Sequence, residues 1–368
     1  MREYLSLDGL LELSCEELQL SQTLHASADT HYQAVARWLN ADRSPLRSLR
    51  PAIYPQGSFL IGTTAKPILQ NEYDLDFVCQ MEIDHSISSA VRVLSLLETW
   101  LRESGTYGPM VQPLKRCVRL NYAGDFHMDI LPAAPERPAY GTRIRVPDRK
   151  LEDWKSSDPK GFGAWFKARG ELYLLEKRAD AEPLPRFQSL EEKNPLQRVV
   201  QLAKRARDLY FASDAEAAPR SIVLTTLMGH AYRGQRSTAL GLQDILAMLR
   251  DLSASFVPPE VRNPVHPDEL LSEQWASNPS TFHRFRQWLD WFAAGWARVL
   301  AADSIPGTQR ALTALFGDEL VKKAFVKQAQ RLDELRKAQT LGMSRAGGLL
   351  AGAAFTVRPN TFYGGDDE

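Results

Sequence analysis

The stretch PQGSFLIGTTAKPILQNEYDLDFV, residues 55–78, decides how this 368-residue chain is read, because a glycine-serine turn runs into an apolar segment carrying two aspartates one residue apart. In a β-strand successive side chains point to opposite faces, so Asp74 and Asp76 share a face while Leu75, Phe77 and Val78 serve packing. Two carboxylates then converge on one spot. Carboxylate oxygens suit a hard cation such as Mg²⁺, which keeps several waters and sits between one or two carboxylates and substrate phosphates. Two such ions about 4 Å apart clamp the attacking and leaving oxygens of an in-line displacement at phosphorus. Upstream, Gly57-Ser58 and Gly62-Thr63-Thr64 place small residues where a phosphate can approach backbone N–H groups and hydroxyls. No Gly-Lys-[Ser/Thr] follows, which excludes a Walker A loop. Asp-x-Asp by itself is a weak motif, and the turn by itself reads as a serine helix cap. Their joint occurrence is informative, since a carboxylate pair inside an apolar strand is costly unless a cation or donors compensate it.

A two-metal site wants a third carboxylate from a neighbouring strand. The segment CVRLNYAGDFHMDILP, residues 117–132, reads as a hairpin with a turn at Ala123-Gly124-Asp125 and a return strand carrying Asp129. Asp129 alone reads equally well as a surface acid on an edge strand.

Taken together, GSF-x(2)-GTT, EYDLDFV and a lone aspartate on a later strand resemble the nucleotidyltransferase core of the DNA polymerase β superfamily. The spelling QGSFxxGTT with NEYDLDFV is closer still to the bacterial cGAS/DncV-like nucleotidyltransferases, which make cyclic oligonucleotide signals in CBASS anti-phage defence. These motifs span residues 55–132. The resemblance implies a bilobal α+β fold: a polymerase β-like core with a mixed sheet, a C-terminal helical bundle and an N-terminal helix bracing both lobes. The divisions expected are 1–50, 51–160, 161–345 and a flexible tail at 346–368. It further implies that Asp74, Asp76 and Asp129 are catalytic and hold two Mg²⁺ ions, for which Mn²⁺ substitutes. Gln56, Gly57, Ser58 and Thr63 would contact the triphosphate, whereas Glu72, on the same strand face, receives no role. The expected reaction joins ribonucleoside triphosphates, ATP among them, into a cyclic di- or trinucleotide with release of pyrophosphate.

Outward from this core, apolar spacing predicts a long helix over residues 15–40, a β-rich stretch over 52–146 interrupted by a helix at 87–103, and a loop-rich exit where prolines recur between Pro132 and Pro159. A helix over 196–211 puts Val199, Val200, Ala203, Ala206 and Tyr210 on one face, with Arg207 inside that face and Lys204 on its border. The resemblance assigns Lys204 and Ser221, at the start of the next helix, to nucleotide phosphates; an exposed boundary lysine and a plain helix cap are the bland alternatives. NPVHPDELLSEQW, residues 263–275, matches an Asn-Pro to Trp stretch of the same family. The aromatic run Phe282, Phe285, Trp288, Leu289, Phe292 and Trp296 reads as helix core, and His127 and His230 as structural, nucleotide contact by His127 being the minor alternative because it neighbours Asp129 in sequence.

Forty-five basic residues balance 45 acidic ones, so the chain lacks the excess positive charge that polymer binding usually needs, and nucleic-acid activation is not expected. Cys15, Cys79 and Cys117 are scattered without Cys-x-x-Cys, which signals neither disulfides nor zinc. The acidic start and the absence of a long apolar run predict a cytoplasmic protein without membrane contact. The small-residue tail AGGLLAGAAFTVRPNTFYGGDDE is expected to fray, and its Gly364-Gly365 would suit accessory proteins that conjugate the C-terminus in the resembled family. Two other readings stay open: a transferase that modifies RNA or protein, and a catalytically silent nucleotide-binding regulator.

Overall fold

The computed structural model describes residues 7–68, 72–136, 141–170, 187–188, 192–255, 257–338, 341–343 and 349–351. Helices α1 (Leu7–Leu18) and α2 (Gln22–Leu39) lead into strand β1 (Ala52–Pro55), the short helix α3 (Gly57–Leu60) and strand β2 (Tyr73–Gln80). Helix α4 (Ala90–Arg102) then connects to β3 (Val111–Pro113), β4 (Val118–Tyr122), β5 (Phe126–Pro135), β6 (Ile144–Asp148) and β7 (Asp153–Ser157). The rest is mainly helical: α5 (Pro159–Gly170), α6 (Pro195–Tyr210), α7 (Ser221–Ala231) and α8 (Thr238–Leu252), a hairpin β8 (Arg262–Asn263) and β9 (His266–Leu270), then α9 (Glu273–Ser277), α10 (Pro279–Leu300), α11 (Ile305–Phe316) and α12 (Asp318–Lys337). Two short paired strands, β10 (Leu341–Met343) and β11 (Leu349–Ala351), come last. This is the mixed α+β architecture expected from the sequence.

The main sheet runs β1-β2-β5-β4-β3, and β6 continues from β5 to β7. Only β2 and β5 pair in parallel among its described strands. A parallel pair needs a long crossover. Here α4 and the β3-β4 hairpin supply it. Alternation along β2 sends Tyr73, Leu75 and Phe77 into a core shared with Leu120, Met128 and Ile130 of the neighbouring strands and with Tyr32, Val35 and Leu39 of α2. The Tyr32 ring stacks on Phe77 at 5.0 Å, and its hydroxyl donates to the Ile53 carbonyl at 2.8 Å. A second core gathers the aromatic face of α10 with Val199 and Val200 of α6, Leu224 of α7 and Leu315 of α11.

Three expectations change. The helix expected over 15–40 is two helices, broken where the Ser21 side chain caps α2 by accepting from the Leu24 N–H. The break lets Leu10, Leu11, Cys15 and Leu18 enter the helical core while Ala28, Tyr32 and Val35 pack under the sheet. One straight helix could not bury both stripes in separate cores. The proline-rich exit carries the end of β6, which begins inside the expected β-rich stretch, and β7, which pairs antiparallel with it although its residues do not alternate in burial. In the expected tail, Leu349–Ala351 pairs antiparallel with Leu341–Met343, and Gly364-Gly365 and the acidic end lie outside the described residues.

Asp148, at the end of β6, is fully buried. Burial pushes its carboxyl up, but Arg116 (Nε, 2.9 Å), Lys115 (Nζ, 3.1 Å) and the Leu151 N–H outweigh that and hold it at about 2. A carboxyl whose folded value lies below its unfolded value stabilises the protein above the unfolded value, and loses that contribution as pH falls through the folded one. Asp148→Asn is therefore expected to cost roughly 1–2 kcal/mol at neutral pH, discounted because Lys115 and Arg116 are partly solvated. Urea unfolding should show that cost shrinking between about pH 4 and pH 2; an equal cost at both ends would contradict it.

Candidate active site

The parallel register of β2 and β5 sets Asp76 beside Asp129 and Asp74 beside His127. Because β-strand side chains alternate, all three aspartates emerge on the face opposite the packed Leu75 and Phe77. Asp129 is 8% exposed on a strand paired on both sides, which removes the edge-strand reading. Antiparallel β4 places Arg119 opposite Asp129. Its Nε donates to Asp129 Oδ1 at 2.7 Å, and Nη2 donates to Asp129 Oδ2 at 2.9 Å and Asp74 Oδ1 at 3.0 Å.

Arg119 was not a sequence candidate. Its signal is positional: a hairpin turning at 123–125 pairs 119 with 129, but that register is visible only once the hairpin is accepted. Glu72, left without a role, accepts from the Gly124 N–H at 2.7 Å and meets His127 Nε2 at 3.0 Å, so it ties the turn after β4 to the start of β2. His127 thus lies on the carboxylate face, with Nδ1 buried and unpartnered among the described residues.

Burial raises the Asp76 carboxyl to about 7, and the flanking Asp129 and Asp74 charges push in the same direction. Asp74 is also raised, again by burial first, with Arg119 opposing. Such a set is short of positive charge, and its all-oxygen donors suit a hard divalent cation. In the arrangement seen, no three His, Cys, Asp or Glu groups among the described residues converge as a metal centre. Arg119 bridges two of the carboxylates instead. The residues fit a divalent ion in chemistry and face, and Asp74, Asp76 and Asp129 are those that would hold it.

The glycine-serine turn is pressed against this cluster. The Gln56 N–H donates to the Asp76 carbonyl at 2.8 Å, and Gly57 has φ +60°, where a Cβ would stand 2.6 Å from Asp76 Oδ2. Only glycine suits both demands. Gly57, Ser58, the three aspartates, Arg119, Lys204, Arg207 and Ser221 line one cleft of about 720 Å³, within the range of about 300–1,000 Å³ usual for small-molecule sites. Two expected contacts fall elsewhere. Gln56 lines an adjoining cavity of about 420 Å³. Thr63 is fully buried, and its carbonyl and Oγ1 accept from Lys204 Nζ at 3.0 and 3.1 Å, so it holds the lysine. Ser221 opens α7 and accepts from Arg207 Nη1 at 2.7 Å.

Lys204 is 5% exposed, not a boundary residue. Burial pulls its ammonium down to about 7, and neighbouring Arg207 adds to the drop. Above that value the free protein holds Lys204 largely neutral, and an arriving polyanion raises its affinity for a proton. Metal-free binding of a nucleoside triphosphate at about pH 8 should therefore take up a proton, and at about pH 6 should not. Calorimetry in buffers of different ionisation enthalpy reads this directly. Lys204→Met should remove the lysine's share of the uptake and leave only what Asp76, itself raised to about 7, takes up; uptake undiminished in the variant would remove Lys204 from the phosphate site.

Residues 6–169 match the Second Messenger Oligonucleotide or Dinucleotide Synthetase domain, SMODS. The chain is 33% identical to a c-di-GMP synthase of Roseivirga ehrenbergii over 367 residues, covering 97% of each. Its fold matches the CD-NTase CdnG of Bradyrhizobium diazoefficiens, solved in complex with GTP, with a TM-score of 0.75 and 26% identity, over 88% of this chain and all of that one. Vibrio cholerae DncV, a cyclic AMP-GMP synthase, shares the fold at a TM-score of 0.54 and 18% identity, over 74% of this chain and 71% of DncV.

Proposed function

Since the chain belongs to the cGAS/DncV-like nucleotidyltransferases, we propose that it condenses two GTP molecules into cyclic di-GMP, with divalent ions held by Asp74, Asp76 and Asp129. Cyclic dinucleotide synthesis is the activity named for its relatives, and the carboxylate face opening on a cleft with a buried lysine is the observation that carries it to these residues. Guanine as the base in both positions is supported by the R. ehrenbergii c-di-GMP synthase and by the GTP bound in the CdnG structure. ATP, expected from the sequence, is the competing choice. Signalling in anti-phage defence and accessory proteins acting on the C-terminus belong to the same proposal.

Divalent ions at the aspartates would neutralise the phosphates and lower the pKa of the attacking ribose hydroxyl. The chain's own residues do the rest. Gly57 and Ser58 let the triphosphate approach the turn beside Asp76, while Lys204 and Arg207 face its negative charge from the helical side of the cleft. Asp129, beside Asp76 by strand pairing, would orient the attacking hydroxyl. Each bond made releases pyrophosphate, and a linear dinucleotide precedes ring closure. Catalysis is thus largely positioning and charge neutralisation on rigid strands. A silent regulator would have no use for three costly carboxylates on one face. A transferase acting on RNA would need a basic track that a chain of balanced charge does not advertise.

Mass spectrometry of reactions with GTP alone, ATP alone and both, in Mg²⁺ and in Mn²⁺, tests this. Cyclic di-GMP is expected from GTP alone, and Asp74→Asn with Asp76→Asn should lower it by about 10³-fold or more. An adenine-containing product from the mixture would overturn the base choice. Undiminished product from the double variant would overturn the role of the aspartates.

A further inference from the structure

We propose that Arg119 is an exchangeable counter-ion of the carboxylate cluster: in the metal-free protein its guanidinium bridges Asp74 and Asp129 and offsets part of their charge, and a divalent cation enters by displacing it. This rests on the proposed metal-holding role of the three aspartates. Arg119 occupies both oxygens of Asp129 and one of Asp74, the oxygens an incoming ion needs. It does so from the next strand over, at the register position facing Asp129, so the sheet itself delivers it. Paired carboxylates on adjacent strands repel unless a cation lies between them, and a planar fork of donors suits that task.

The bridge is placed to open. Arg119 lines the cleft with its side chain 19% exposed, and the Asp74 side chain beside it is 50% exposed, so a cation reaches the pair from solvent without unfolding the sheet. Displacement makes the metal compete with an internal charge, which weakens binding of the bare ion. A triphosphate changes the balance, because its oxygens offer the freed guanidinium a new anionic partner in the same cleft. Metal and nucleotide then assist each other's binding through one side chain, and the coupling is reciprocal. Arg119 acts as a positioning residue: it keeps Asp74 and Asp129 aligned until the ions arrive with substrate.

The test is Mn²⁺ binding to the full-length, nucleotide-free protein, read by the loss of the free-ion electron paramagnetic resonance signal. Arg119→Gln should bind Mn²⁺ about tenfold more tightly than wild type, the scale of one charge-assisted hydrogen bond that the ion no longer has to displace. The gain in Mn²⁺ affinity on adding a non-hydrolysable GTP analogue should shrink by a similar factor. Arg119→Lys, which keeps the charge and loses the fork, should fall between the two, and it carries the test if Arg119→Gln does not fold. Mn²⁺ affinity equal to or weaker than wild type in the folded variants overturns the counter-ion role alone. No Mn²⁺ binding by wild type or either variant, with or without the analogue, overturns the metal role of the aspartates instead.

Discussion

Like charge on adjacent strands is the constraint around which the molecule is arranged. Parallel pairing of β2 with β5 puts Asp76 beside Asp129 at the strand spacing of about 4.8 Å, and Asp74 follows two residues away on the same face. A face of this kind is unfavourable unless a cation is supplied. Arg119 supplies one from β4, while burial, with the Asp129 and Asp74 charges adding to it, raises the Asp76 carboxyl. The turn at Gly57 stays close because glycine alone tolerates both the positive φ and the contact with Asp76.

The cluster works only if a second body faces it, and the two cores divide that labour. The sheet and α2 form one core, α1 and the C-terminal helices the other, and the cleft opens between the faces they present. Side chains of α6 reach back to the turn. Gln197 Nε2 donates to the Ile61 carbonyl at 2.9 Å, Gln201 Nε2 to the Thr64 carbonyl at 2.7 Å, and Lys204 Nζ to the Thr63 carbonyl at 3.0 Å. A run of polar residues on one helix face thereby fastens the phosphate turn to the helical lobe. Its last member, Lys204, is buried deeply enough to lose much of its charge preference, so an anion and a proton are favoured together.

The site follows the same logic as its surroundings. The carboxylates lie on strands and the cleft cations Lys204 and Arg207 on α6, not on free loops, which limits how far they drift. Second contacts hold them in turn: Glu72 gathers His127 and the Gly124 N–H, Thr63 holds Lys204, and Ser221 accepts from Arg207. Threonine and glutamate here hold a lysine and a histidine in place, a part that their place in a motif does not reveal.

Asp74, Asp76, Gly57 and the hairpin bearing Asp129 were legible in the sequence because strand alternation and turn chemistry are local rules that act within a few residues. Helices α6 and α10 were legible for the same reason, through their 3.6-residue periodicity. What lies beyond a few residues was decided by packing. The break at Ser21 follows from two cores competing for one helix, the strand β7 from its pairing with β6, and Thr63 from a lysine 141 positions away. Arg119 is the clearest case: the chain states its charge, and only the register of three strands makes it the partner of two aspartates. Sequence determines which side chains share a face of one element, because that geometry is set by the backbone period. Tertiary structure decides which faces meet, because that depends on apolar burial and charge balance summed over residues far apart in the chain.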